Sequence, residues 1–353
     1  MSLDKSKVEW LRSLSAWPRT LLAQLPTPIH RLSNFAKHTG AIELWIKRDD
    51  LTGLAGGGNK TRKLEFLVGD AVRSGADTLV TVGAIQSNHT RQVAAAAART
   101  GLRCALLHCG WTKDAGPAYR QVGNIFLSSM MGADLYADGT DRPIEDQGGL
   151  DELAEYLRAR GQRPYVIPGG GSDHRLGGLG YAACAAEIAA QSASLGTHFD
   201  FVVHTTGSSS TQSGLIAGFM ALHEDTHVIG ISDDDETSIK SERVLRLANA
   251  TLHELGCSER VAPSNVEIIV GDASPYGVAD GQTLDAIRLL ARTEGLIADP
   301  VYEGKAVRGL LELAERGRFK SGNRVLLLHL GGTPAIHAYA NQFGSIDLVQ
   351  FPI

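Results

Sequence analysis

The chain has 353 residues, 43% of them hydrophobic and 21% charged, with a net charge of −5. That length can bury a large core and suggests two domains or one large one. A mildly acidic balance without a long basic run excludes nucleic acid as the expected partner, and no run of about 18 uninterrupted apolar residues suggests a membrane span.

Met1–Trp10 is charged and carries no apolar stretch of the signal-peptide kind. From Lys63 onward, short apolar runs alternate with amphipathic ones. Thr78–Val82 reads as a buried strand, Arg91–Thr100 as a helix, Arg103–Cys109 as a strand and Tyr119–Met131 as one helix. Asp151–Arg160 is helical and Pro164–Pro168 extended. The pattern continues with a helix over Leu179–Leu195, a strand over Phe199–Thr205, a helix over Gln212–Leu222 and a strand over His227–Ser232. Helices near Ser241–Leu255, Thr283–Thr293 and Lys305–Arg316 lead to a last strand, Asn323–His329. Strands without polar alternation, separated by helices, imply parallel sheets covered on both faces. The expected fold is α/β, with two open, mostly parallel twisted sheets flanked by helices. The break between them is expected near Gly169–Gly180.

The four cysteines, Cys104, Cys109, Cys184 and Cys257, follow neither metal-ligand nor CxxC spacing, so no metal is expected. Cys104 and Cys184 lie in apolar runs and read as small buried hydrophobes. A reducing cytoplasm is the expected compartment.

Open α/β sheets bind ligands at the carboxyl ends of their strands, often against a helix N-terminus. Four Gly-rich or polar segments fall at such places: Gly53–Lys63, Gly83–Gln92, Thr205–Gly214 and His329–Pro334. The run from Thr206 to Gly214 follows a strand and opens a helix. Its N–H groups and the hydroxyls of Ser208, Ser209, Ser210 and Thr211 suit a phosphate without a cation; an N-cap with a flexible serine turn is the other reading. Gly53–Thr61 fails as a P-loop, because Asn59 separates the last glycine from Lys60 and because Lys47–Thr52 reads as too polar for the preceding buried strand. Gly177–Gly180 lacks dinucleotide-binding spacing. A lysine heading a helix, as Lys60 does, feels the positive dipole end, which favours the neutral amine that Schiff-base chemistry needs. Taken alone, Ser87 and Asn88 read better as helix caps, and Tyr276 and Tyr302 better as packing residues in loops.

Taken together, the stretches IKRDDLTGLAGGGNKTRKLEFL, GAIQSNHTRQ, GGLGYAACAAEI, LLARTEGLIADPVYEGKA and HLGGTPA resemble the 1-aminocyclopropane-1-carboxylate deaminase and D-cysteine desulfhydrase family. These are fold-type II pyridoxal-phosphate enzymes, of the tryptophan synthase β-like architecture. The resemblance runs from about Leu25 to Gly332. It implies a larger cofactor-binding domain from 1–62 plus 171–353, a smaller one from 63–170, and an active site in the cleft between them.

The resemblance also implies roles. Lys60 would carry pyridoxal 5′-phosphate as a Schiff base and move protons at the substrate carbons. Asn88 would bond the pyridoxal 3′-oxygen, with Asn59, Leu330 and Gly331 also at the cofactor. Ser208, Ser209, Ser210 and Thr211 would hold the phosphate. Ser87, Asn88, His89 and Trp111 would face the substrate, and Tyr276 and Tyr302 would act on it. Glu303 would meet the pyridine nitrogen and keep it protonated, making the ring a stronger electron sink. Glu303 and Leu330 match the deaminase pattern, where desulfhydrases and cysteate sulfo-lyases carry Ser or Thr. His89 follows the desulfhydrase pattern instead, and Ser208–Ser210 follows neither. The implied reaction takes 1-aminocyclopropane-1-carboxylate to 2-oxobutanoate and ammonia. Its alternatives are β-elimination from D-cysteine or L-cysteate to pyruvate, and a non-catalytic protein that only binds the cofactor. A homodimer acting on a small amino acid is expected.

Overall fold

Thr78–Ala84 is buried at every residue and Arg103–Cys109 at all but its first, which only a strand covered on both faces allows. The structure, a computed structural model, describes residues 14–40, 42–112, 116–140, 146, 148–234, 236–346, 348–349 and 351. Met1–Trp10 lies outside them. The elements run β1 (Ile29–Arg31), β2 (Glu43–Arg48), α1 (Lys60–Arg73), β3 (Thr78–Ala84), α2 (Asn88–Thr100), β4 (Arg103–Cys109), α3 (Gly123–Met130), β5 (Asp134–Ala137), α4 (Gly148–Arg158) and β6 (Pro164–Ile167). They continue with α5 (Leu179–Leu195), β7 (Phe201–Thr206), α6 (Ser210–Ala221), β8 (His227–Ser232), α7 (Thr237–Glu254), β9 (Glu267–Val270), α8 (Gly281–Glu294), α9 (Glu303–Glu315) and β10 (Arg324–His329).

Two sheets result, as the alternating pattern implies. One has six strands in the order β1-β2-β10-β7-β8-β9, and the other four in the order β5-β4-β3-β6. Every pairing is parallel except that of β1 with β2. The chain passes from the smaller sheet to the larger between Ile167 and Phe201. One continuous apolar cluster takes in both sheets, including Leu79 and Leu106 of the smaller, Val202 and Leu326 of the larger, and Leu64, Leu67 and Leu179 of α1 and α5. Cys104 and Cys184 are buried within it, and all four cysteines are free thiols.

Two sequence expectations need correction. The polar segment Lys47–Thr52 does begin inside a buried strand: β2 runs to Arg48, and Lys47 is fully buried because its ammonium meets Glu187 at 2.6 Å and Gln191 at 2.8 Å. A buried charge with partners is tolerated where an unpaired one is not. The single helix expected over Tyr119–Met131 is instead a 3₁₀ turn, Pro117–Arg120, and then α3. Gly123 breaks it, with φ 67° and no room for a Cβ, which would lie 2.5 Å from Gln86 Oε1 and 2.6 Å from the Pro334 carbonyl oxygen. No helix among the described residues is long and apolar enough to cross a membrane.

Candidate active site

The carboxyl ends of β3, β7, β8 and β10 converge on one cavity of about 150 Å³ that opens to solvent at its mouth. Its walls hold Lys60 and Asn59, then Ser87, Asn88 and His89 after β3, and Trp111 after β4. Ser208, Ser209 and Thr211 follow β7, Leu330 and Gly331 follow β10, and Tyr276, Tyr302 and Glu303 close the remaining side. Of the residues singled out from sequence, only Ser210 lies outside this lining. It is fully buried behind the wall, with its hydroxyl 3.0 Å from that of Ser172.

Lys60 opens α1, and its amine sits 3.2 Å from Asn59 Oδ1. Burial lowers its pKa to about 8, against the pull of Asp233 and Glu303 in the other direction. The base of this helix is pinned by ionic contacts two residues on. Arg62 forms two 2.8 Å bonds to Asp49 and two 2.9 Å bonds to Glu187, and Tyr181 donates to Asp49 at 2.7 Å. Although burial alone raises the Asp49 pKa, the Arg62 guanidinium holds it down to about 2. Removing one member of such a buried set leaves an uncompensated charge, which holds the Lys60 end of the helix in place.

Lys63 lies one turn further along and is buried, donating to the Gly170 carbonyl at 3.3 Å. Burial, reinforced by Lys60, lowers its pKa well below the usual value. Gly170 itself abuts Ser208, where a Cβ would come within 2.3 Å of the serine hydroxyl. A buried lysine amine therefore stands behind the serine loop. The serine loop alone did not disclose this amine, although the i+3 spacing from Lys60 places the two lysines on one helix face.

The serine loop leads into α6, whose first turn leaves backbone N–H groups free of intrahelical partners. Asn59 Nδ2 donates to Thr211 Oγ1 at 3.2 Å, and the hydroxyls of Thr205 and Thr206 are buried without partners. Ser209 has φ 75°, a left-handed conformation that costs an L-residue roughly 1–2 kcal/mol. Ser209→Gly is therefore expected to stabilise the cofactor-free protein by roughly 0.5–1 kcal/mol, after allowing for the looser unfolded chain. Urea unfolding checks this, and a lower midpoint in the variant would show that the serine side chain outweighs its strain.

Ser87 both caps α2, accepting from the Thr90 N–H at 3.3 Å, and lines the cavity, so the two readings of this residue are compatible. Thr81 donates its hydroxyl to the Ile167 carbonyl at 2.7 Å, so it must accept from His89 Nε2 at 2.8 Å. His89 then carries its proton on Nε2 and keeps a lone pair on the buried, unpartnered Nδ1. Burial, with Lys60 and Lys63 nearby, keeps this ring neutral by lowering its pKa well below the usual value.

Tyr276 and Tyr302 share a 2.5 Å hydroxyl contact, and Trp111 packs edge-on against Tyr276 with centroids 6.3 Å apart. Burial pushes both phenols well above their usual pKa. Asp299 accepts from the N–H groups of Val301, Tyr302 and Glu303, and so shapes the turn that presents the last two. Glu303 is 2% exposed, its Oε1 has no partner, and Oε2 comes no closer than 3.8 Å to His329. Burial, with the Asp299 charge beside it, raises its pKa well above the carboxylate range. Asp233, in the run of aspartates after β8, also lines the cavity, 2.7 Å from Lys240. No cluster of metal-ligating side chains occurs among the described residues.

The arrangement fits pyridoxal phosphate on its own terms. A buried amine of lowered pKa answers an aldehyde, the free N–H groups opening α6 beside the unpartnered Thr205 and Thr206 hydroxyls at the end of β7 answer a phosphate, and an orphaned buried carboxyl oxygen answers a ring nitrogen. Those three features define an enzyme class that works through this cofactor.

The family model of the pyridoxal-phosphate dependent enzymes matches residues 20–331. The chain belongs to that family, and within it to the 1-aminocyclopropane-1-carboxylate deaminase and D-cysteine desulfhydrase branch. It is 45% identical over 336 residues to the 1-aminocyclopropane-1-carboxylate deaminase of Burkholderia vietnamiensis (strain G4), covering 94% of this chain and 99% of that one. The enzyme of the same name from Methylobacterium nodulans is 45% identical over 323 residues, or 90% of this chain and 95% of its own. A solved ACC deaminase homologue superposes with a TM-score of 0.86 at 36% identity, covering 95% of this chain and 98% of that one. O-ureido-L-serine synthase, at 20% identity and a TM-score of 0.67 over 96% of each chain, shares the fold.

Proposed function

We propose that this enzyme converts 1-aminocyclopropane-1-carboxylate and water to 2-oxobutanoate and ammonia. The observation that carries the reading is Glu303, a buried carboxyl with an unpartnered oxygen, beside the apolar Leu330 in the same cavity wall as Lys60. The deaminases among its relatives support it. When bound, pyridoxal phosphate supplies an electron sink for the bonds at the substrate's α-carbon.

The chain's own groups do the rest. Lys60 carries the cofactor and, with its lowered pKa, moves protons at the substrate carbons near neutral pH. Glu303 holds a proton at the ring nitrogen, since Leu330 brings no competing hydroxyl. Asn88 donates to the 3′-oxygen. Ser208, Ser209, Thr211 and the N–H groups of α6 hold the phosphate, with the buried Lys63 amine behind them. Ser87 and the start of α2 take the substrate carboxylate, Trp111 and His89 bound the substrate space, and the paired hydroxyls of Tyr276 and Tyr302 exchange a proton with the opening ring.

The cavity then lies between a smaller domain, 63–170, and a larger one, 1–62 plus 171–353. Four free cysteines fit a cytoplasmic enzyme, and the exposed Phe126 and Met130 on α3 fit a homodimer.

The test is an assay of the purified holoenzyme on 1-aminocyclopropane-1-carboxylate, D-cysteine and L-cysteate. Release of 2-oxobutanoate from the first is expected. Pyruvate from a cysteine-like substrate with no 2-oxobutanoate would make this a β-eliminating enzyme. Retained cofactor with no turnover of any substrate would make it a binding protein.

A further inference from the structure

Asn88 can offer the cavity either an amide donor or an acceptor, and a neighbour outside the cavity decides which. Asn124, on α3, is fully buried, and each of its groups has a partner. Arg91 Nε donates to its Oδ1 at 2.7 Å. Guanidinium has no acceptor, so this contact fixes which end of the Asn124 amide is oxygen. The Nδ2 then faces the Gln86 carbonyl, an acceptor only, at 2.9 Å, and Asn88 Oδ1 at 3.0 Å. Turning the side chain would break all three of these bonds, and the Asn124 backbone N–H is itself held by Gln86 Oε1 at 2.9 Å. Asn88 must therefore present Nδ2 on its other side. That atom lies toward the Gly331–Gly332 wall, where a Cβ on Gly332 would come within 3.1 Å of it. Arg91 is in turn held by the glycine loop that leads to Lys60, donating to the carbonyls of Ala55 and, at 2.9 Å, Gly57.

We infer that Asn124 is a positioning residue that sets the flip of the Asn88 amide, so that a donor faces the cofactor's 3′-oxygen. The inference rests on the reading that Asn88 meets that oxygen. A donor there favours the more anionic form of the bound cofactor and so lowers the pH at which the Lys60 nitrogen bonded to it loses a proton. Losing the donor raises that pH.

Asn124→Asp keeps the acceptor for Arg91 and removes the donor to Asn88, which then turns its own Nδ2 toward the new carboxylate and its Oδ1 toward the cofactor. In the holoenzyme, the pH midpoint of the cofactor's visible absorption is expected to rise by about one unit, with far-UV circular dichroism unchanged. Asn88→Ala is expected to raise the midpoint similarly, and adding Asn124→Asp to it should produce no further rise. Should the carboxylate prevent folding, Asn124→Ala replaces it, with a smaller rise expected because Asn88 then samples both flips. An unmoved midpoint in the Asn124 variant while Asn88→Ala moves it overturns the positioning role, as does an equal extra rise in the Asn88→Ala background. An unmoved midpoint in Asn88→Ala itself overturns the placement of Asn88 at the 3′-oxygen, and the inference with it.

Discussion

Lys60→Ala is expected to abolish turnover and covalent retention of the cofactor together, a loss on the order of 10⁴-fold or more in kcat. The amine is the group that bonds the cofactor and, in the proposed mechanism, the one that moves protons at the substrate carbons, so a single substitution removes both functions. Its lowered pKa of about 8 makes a second, independent signature. Reconstitution of the cofactor-free parent with pyridoxal phosphate should accelerate about tenfold per pH unit below that value, as the neutral fraction grows, and then level off. The alanine variant should show no such phase. Borohydride reduction of the parent followed by peptide mapping tests the assignment directly, and a label on Lys63 in place of Lys60 would overturn it. The contrast is a sharp one, because Lys63 is also buried and also has a lowered pKa. What separates the two is position, since only Lys60 lines the cavity.

Glu303→Gln should move activity and stability in opposite directions. Turnover should fall by on the order of 10²–10³-fold with the cofactor still bound, because a carboxylate at the ring nitrogen contributes several kcal/mol where charge develops and an amide does not. The cofactor-free protein should become more stable at neutral pH. In the folded state burial raises the Glu303 pKa well above its ordinary value of 4.5. Between that value and the raised one the folded state binds a proton that the unfolded state has lost, so the parent loses stability as pH rises through this window. Glutamine has no such titration. The difference between variant and parent should therefore vanish below about pH 4.5 and grow above it. Urea midpoints of both cofactor-free proteins across pH 4–8 measure it. Full turnover in the variant would detach Glu303 from the cofactor, and a stability difference independent of pH would mean that burial does not hold its proton.

The sequence by itself carried the fold class and most of the cavity. Parallel sheets announce themselves through runs buried on both faces, such as Thr78–Ala84, because a local string of apolar residues already states its environment. Lys60 was legible at the start of a helix, while Ser87, Asn88, Tyr276, Tyr302 and Glu303 were legible through the family resemblance of their motifs, and all of them line the cavity.

Other features depend on what lies across the fold. The polar string before the glycine loop hid a strand, since nothing near Lys47 in sequence discloses Glu187 on a helix 140 residues away. Ser210 carries the same hydroxyl as its neighbours, yet the left-handed turn at Ser209 and the contact with Ser172 place it behind the wall. Lys63 reads as an ordinary helical lysine until the fold buries its amine against the Gly170 carbonyl. The amide orientation of Asn88 is the extreme case. It is set by a chain of donors and acceptors running from the Gly57 carbonyl through Arg91 and Asn124, and hydrogen-bond direction is a property of atoms in space that residue order does not encode.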